Sequence, residues 1–383
     1  MDSSNKKLCM IPGPIEFHED VLKAMSHTAT SHVDPKFIEV FGSCIEMLRK
    51  VFFTKDAQPF ILSGSGVMGW DAIAVNLLQP NEEALVLSTG VFGDRFVDSM
   101  EAYGAKVTNL KAPLGGNHDL KQVEEELKKK DYKMVTITQV DTSTGVLSNV
   151  KGLSQLIKSI LPKALIVVDG VCAAAAEELR FDEWNVDVVL TASQKAIGVP
   201  PGLCIIVAST NAMNLFKGRQ QAVANYYLSW NKWLPIMQSY EARKPAYFAT
   251  PAVQLINALH VSLSQLLAQG MDKGFSSHVT ASKNFKDAVK NMGLKLVTLN
   301  EECEAHTMTT IYYPEGVSGP ELLQAIGQRG VMVAGGLHPS MATKYFRVGH
   351  MGVSVRETSR GHVESTLNAI KGALEQVGFK SKA

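Results

Sequence analysis

Five short polar clusters in this sequence of 383 residues carry residue types that do chemistry, and each adjoins an apolar run. Lys195, in Ser193-Gln194-Lys195-Ala196, follows the run Val186 to Leu190. A lysine just past a buried strand is costly to desolvate, and lysines whose pKa is lowered in such places form Schiff bases, although the long stem can also snorkel to water. Asp169 closes the run Leu165 to Val168, where a carboxylate can face a cation or a charged ring nitrogen, or cap the next segment. Ser63-Gly64-Ser65-Gly66 follows Phe60-Ile61-Leu62. Its small residues either let backbone N–H groups converge on a phosphate or form a plain capping turn. The loop lacks the Gly-Lys-Ser/Thr ending of a P-loop and the GxGxxG spacing, which disfavours a nucleotide. Arg347 sits between Phe346 and Val348, where its fork suits a carboxylate ligand or simply points to water from an edge strand. Phe92, in Thr89-Gly90-Val91-Phe92-Gly93, can stack on a planar ligand or pack as an ordinary aromatic.

Taken together, the five cover what pyridoxal phosphate (PLP) needs. A lysine carries the aldehyde, an acid sits on the pyridinium nitrogen, a Gly/Ser loop holds the phosphate, an aromatic covers the ring, and an arginine takes the substrate carboxylate.

The elements that must position these groups are legible as alternation. Apolar runs at Phe60–Leu62, Ala84–Leu87, Met134–Thr138, Leu165–Val168, Val186–Leu190 and Leu203–Val207 are apolar throughout rather than every second residue. That predicts strands buried on both faces of a mostly parallel sheet. Helical patterns lie between them, over Leu120–Lys130 and Gly152–Leu161, so residues 58–208 read as a doubly wound α/β domain. Residues 252–292 read as one long, bent helix. After it come strand-like Leu294–Thr298 and Met308–Tyr313, a helix over Gly319–Gln328, further strands at Val331–Val333 and Tyr345–Val348, and a closing helix over Arg356–Val377. The expected division is an N-terminal arm over residues 1–20, a large domain over 21–260 and a smaller α+β domain over 261–383.

Composition narrows the function classes. Lys+Arg is 38 against Asp+Glu 37, so no charge excess drives the chain onto nucleic acid or an acidic membrane. The five cysteines are scattered without a CxxC, which argues against a disulfide framework or a zinc site and for a reducing compartment. No apolar run approaches the roughly 20 residues of a membrane span, and the N-terminus has no signal core. The cytoplasm is the expected location. The ending Ser381-Lys382-Ala383 differs in one residue from a peroxisomal address and keeps that compartment open.

The order of motifs resembles the class V aminotransferases of PLP fold type I, and within them the fungal-type alanine–glyoxylate group. The resemblance runs from Ile11-Pro12-Gly13-Pro14 to Gly349-His350-Met351-Gly352. It is most specific at Asp141-Thr142-Ser143-Thr144-Gly145-Val146, Val168-Asp169-Gly170-Val171 and Thr191-Ala192-Ser193-Gln194-Lys195-Ala196. It implies a large doubly wound domain with a smaller C-terminal domain, PLP as cofactor and a homodimer with shared active sites. Lys195 is then the Schiff-base lysine and Asp169 the pyridinium partner. Ser65, Gly66 and Gln194 match phosphate-loop positions, with Val67 standing where relatives often carry His or Thr. Phe92 and Val171 match the two ring faces, and Thr142 a group near the cofactor hydroxyl. Tyr247 and Thr250 match residues that reach the other subunit's phosphate, and Arg347 matches the substrate-carboxylate arginine. Gln139 and Asp141 stand where many relatives have His and Glu.

The implied reaction moves the amino group of L-alanine to glyoxylate, with serine–glyoxylate or serine–pyruvate exchange as the alternative. A desulfurase-like lyase would need a mobile catalytic cysteine, and Cys303 lies among acids in Glu301-Glu302-Cys303-Glu304 that would raise its pKa. A non-enzymatic module that kept the fold would have no reason to keep Lys195, Asp169 and Arg347 together.

Overall fold

The computed structural model describes residues 6–379; the terminal Ser381-Lys382-Ala383 lies outside them. A seven-stranded sheet forms the centre, in the order Gln58–Ser63, Leu203–Ala208, Val188–Ala192, Leu165–Asp169, Met134–Thr138, Glu83–Ser88, Lys106–Lys111. Only Leu203–Ala208 runs antiparallel to its neighbours. The strands Met134–Thr138, Leu165–Asp169, Val188–Ala192 and Leu203–Ala208 are buried along their whole length, which is why they read as continuous apolar runs. Lys106–Lys111 is an edge strand, half-exposed and mixed in composition, and for that reason gave no sequence signal.

Parallel register sets the chemistry. Six strands run the same way, so their carboxyl ends share one edge of the sheet, where ligands gather in open α/β folds. Asp169 pairs with Thr138 on one side and Leu190 on the other, fixing it near the centre of that edge. The strand expected at Val186–Leu190 lies two residues later, at Val188–Ala192, so Ser193-Gln194-Lys195 leaves its end directly.

Three further expectations change. Residues 252–292 form two helices, Val253–Gln269 and Met271–Asn291, broken at Gly270 with φ +88°, a conformation glycine adopts without steric cost. The closing helix is likewise split into Val353–Arg356, a 3₁₀ turn Thr358–Arg360 and His362–Gln376, with Gly361 at φ +63° between the last two. Leu294–Thr298 is no strand. Its backbone pairs with the strand Met308–Tyr312 at the bridge Leu296↔Ile311, and then Leu299 N turns away to Gly115 O at 2.9 Å.

The main core gathers buried residues from Val21 to Phe275. A second core is built on Phe285, Val289, Ile311, Phe346 and Ile370, and takes in Met10. The expected boundary at 260/261 falls inside the helix Val253–Gln269, whose Leu263 and Leu266 belong to the main core. The N-terminal arm packs on the second lobe, its strand Leu8–Cys9 pairing with Val331–Met332. In that lobe a three-stranded sheet places Tyr345–Gly349 between Met308–Tyr312 and Ala334–Gly335, with Arg347 at its middle. A small apolar cluster, including Ile15, Val140, Cys172, Ala196, Met308 and Met351, seals the junction of the lobes.

Candidate active site

The shared edge of the sheet opens into a cleft of about 230 Å³ lined by Ser65, Gly66, Val67, Phe92, Thr142, Asp169, Val171, Gln194 and Lys195, together with Trp70, Thr138, Val140 and Cys172. Residues from strand ends more than a hundred positions apart in sequence thus meet around one space. Arg347, Tyr247 and Thr250 are not among the lining residues.

Asp169 is buried, at 3% exposure. Its Oδ1 accepts from Val171 N at 2.9 Å and its Oδ2 from Trp70 Nε1 at 2.8 Å. Burial pushes its carboxyl up to about 6, against the pull of those two hydrogen bonds; the nearby Asp141 charge adds to the rise and Lys195 opposes it. Lys195 Nζ donates to the Pro12 carbonyl of the N-terminal arm. Its pKa is lowered, first by burial, with Arg347 adding repulsion and Cys172 and Asp169 opposing. The arm passes this close because residue 13 has no side chain. A Cβ on Gly13 would lie 2.4 Å from Lys195 Cδ and 2.5 Å from its Nζ, and its φ of +106° also favours glycine.

The Gly/Ser loop leads into the helix Val67–Leu77, whose first turn has no side-chain cap, so its N-terminal end is suited to an anion. Val67 is 47% exposed at the cleft rim. Gln194 Oε1 is buried on the cleft wall with no hydrogen-bond partner among the described residues. Phe92 stands in the first turn of the helix Val91–Ala102 rather than in a loop, edge-on to Trp70 at 6.2 Å. Arg347 reaches the site indirectly: Nε donates to Gly335 O at 2.8 Å and Nη1 to Thr142 O at 3.2 Å. Tyr247 is 64% exposed and lies against His32, ring centroids 4.9 Å apart. Thr250 is also exposed, and the next residues return to the strand Gln58–Ser63 through Ala252 N to Ser63 Oγ, 3.1 Å.

Sequence reasoning missed Trp70. Its signal was there: a tryptophan one turn into the helix after the Gly/Ser loop, whose indole N–H needs a partner once buried. Cys303 lies away from the cleft, and burial raises its thiol pKa. Among the described residues no helix is long and apolar enough to cross a membrane.

The arrangement fits PLP on its donor set: an uncapped helix end for the phosphate, a buried carboxylate with no ion-pair partner among the described residues for the ring nitrogen, and a desolvated lysine for the aldehyde.

Comparison with known proteins gives the family. The family model "Aminotransferase class-V" matches residues 3–357. The chain is 41% identical over 379 residues to alanine–glyoxylate aminotransferase 1 of Saccharomyces cerevisiae, covering 96% of this chain and 97% of the relative. It is 28% identical over 374 residues to serine–glyoxylate aminotransferase of Arabidopsis thaliana, covering 96% and 90%. Among solved structures, ureidoglycine–glyoxylate aminotransferase from Bacillus subtilis superposes with a TM-score of 0.89 at 26% identity, covering 98% of this chain and 95% of that one.

Proposed function

This chain belongs to the class V aminotransferases, a PLP-dependent family, and on that premise we propose that it transfers the amino group of L-alanine to glyoxylate, giving pyruvate and glycine. The observation that carries the reading is the single cleft joining Lys195, Asp169, Phe92 and the Gly/Ser loop. The three relatives named above share glyoxylate in their names and differ in the donor, and the one at 41% identity is named for alanine.

Ser65, Gly66, Gln194 and the end of the helix Val67–Leu77 would hold the phosphate, Phe92 and Val171 the two ring faces, and Thr142 the ring's polar edge. When bound, PLP supplies the electron sink that lets a Cα–H bond of an amino acid break. Asp169 would keep a proton on the ring nitrogen. Its pKa of about 6 belongs to the cofactor-free site, and a pyridinium N–H beside it would pull that value down. Lys195 would hold the cofactor aldehyde at rest, and its free amine would be placed to take the substrate's α-proton at Cα and to return it two bonds away. Burial lowers the Lys195 pKa, which favours the neutral amine, the form that can accept a proton. Arg347, aimed by the carbonyls of Gly335 and Thr142, orients the substrate carboxylate so that the Cα–H bond faces Lys195.

Exposed Tyr247 and Thr250 support a two-fold dimer in which each chain completes the other's phosphate site. Steady-state kinetics with L-alanine and L-serine as donors to glyoxylate test the substrate assignment. Ping-pong patterns with the larger kcat/KM for alanine are expected. A larger value for serine would transfer the assignment to serine–glyoxylate exchange.

A further inference from the structure

We infer that Asp141 is a positioning residue whose buried carboxylate sets Phe92 and Thr142 in the places from which they meet the cofactor, an inference that rests on reading the cleft as a PLP site. The helix Val91–Ala102 starts without a cap of its own, because Gly90 offers no side chain. Its first-turn amides end instead on a loop some fifty residues later. Phe92 N donates to Asp141 Oδ2 at 2.9 Å, Gly93 N to the same oxygen at 3.3 Å, and Val91 N to Ser143 Oγ at 3.0 Å. Asp141 Oδ1 in turn accepts from Ser143 N at 2.9 Å and from Ser143 Oγ at 2.6 Å. A hydroxyl donates once, so the Ser143 proton is committed to Asp141 and its lone pair faces Val91. The network therefore has one direction and one sense.

Asp141 is fully buried, and a carboxylate is tolerated there only when its lone pairs are met. Four donors meet them. The fit is close: a Cβ on residue 90 would lie 2.5 Å from both Asp141 Cγ and Ser143 Oγ. Asp141 does not line the cleft; its neighbours do the contacting. Phe92 follows from the capped amide, and Thr142 is the next residue, with its carbonyl on Arg347 Nη1. Tyr345 Oη donates to the Ser143 carbonyl, tying the same loop to the strand that carries Arg347. One carboxylate thus holds ring support and the substrate arginine in a common frame. An Asn here could accept at only one of the two oxygens, so either the helix or the loop would lose its anchor.

The test is a double-substitution cycle on cofactor-free protein. Wild type, Asp141→Asn, Phe92→Ala and the double variant are titrated with PLP, read by visible absorbance and induced circular dichroism. Asp141→Asn is expected to weaken PLP binding about 10- to 100-fold and to diminish the dichroism. In the Phe92→Ala background the same substitution should cost less, because only the share carried through Thr142 remains. Equal losses in both backgrounds would mean a general structural role and overturn the inference. Ser143→Ala, which removes part of the same cap, supplies the cycle if Asp141→Asn does not fold. Amide hydrogen exchange at Phe92 and Gly93 in the cofactor-free protein gives an independent reading. Exchange unchanged by Asp141→Asn overturns the inference whether or not PLP binds, whereas a wild type that takes up no PLP overturns the reading of the cleft instead.

Discussion

Trp70 Nε1 lies 2.8 Å from Asp169 Oδ2, so the indole of one helix holds the carboxylate at the end of a central strand. Val171 N holds the other oxygen at 2.9 Å. Both partners are neutral donors, and together they do not offset burial, which leaves the Asp169 pKa near 6 against an ordinary 3.8.

That shift has a sign in stability. Between those two values the folded state holds the Asp169 proton more tightly than the unfolded chain does, so the stabilising contribution is full below the lower value and is lost as pH rises through the upper one. Cofactor-free wild type should therefore lose stability relative to Asp169→Asn between about pH 4 and about pH 7, by up to roughly 3 kcal/mol. Urea unfolding of both proteins across that range checks it. A gap that does not change with pH would remove the buried-carboxylate argument.

Arg347→Ala should weaken donor and acceptor together, because each presents one carboxylate to the same fork. A lost bidentate, charge-assisted contact costs about 2–5 kcal/mol. The carbonyls of Gly335 and Thr142 that aim the guanidinium would lose partners as well, so Arg347→Lys should restore charge without restoring most of kcat/KM. Kinetics with both substrates decide: if only one suffers, Arg347 is not their common anchor.

The fold and the site were unequally legible. Met134–Thr138 and Gly319–Gln328 stand where the sequence placed them, since full burial or a clear helical stripe leaves one solution. The end of Leu165–Asp169 was legible for the same reason, and Asp169 with it, whereas the strand before Lys195 ends two residues later than expected and Phe92 stands in a helix. What escaped depended on single residues acting over distance. Gly270 and Gly361 break helices whose apolar pattern continues across them. Trp70 and Asp141 act through partners 99 and 49 residues away, which no local spacing encodes. Arg347 was legible as a candidate, but its approach through Thr142 required the second lobe to be in place.

Mixing of subunits examines the shared site. Lys195→Ala chains and chains carrying both Tyr247→Phe and Thr250→Ala should each be nearly inactive. In a mixed dimer one site carries both defects and the other neither, so activity should return towards a quarter of wild type or so for random pairing. Confirmed exchange of subunits without any return of activity would show that the exposed Tyr247 and Thr250 serve their own chain or none.

The central claim is that Lys195 is the residue that carries PLP, and one measurement addresses it directly. Borohydride reduction of the purified protein in the presence of PLP converts a lysine-bound cofactor into a stable secondary amine, and mass spectrometry of the digest then locates it. The expected result is phosphopyridoxyl on the peptide containing Lys195, absent from Lys195→Ala. Label on a different lysine, or none on wild type, would contradict the account.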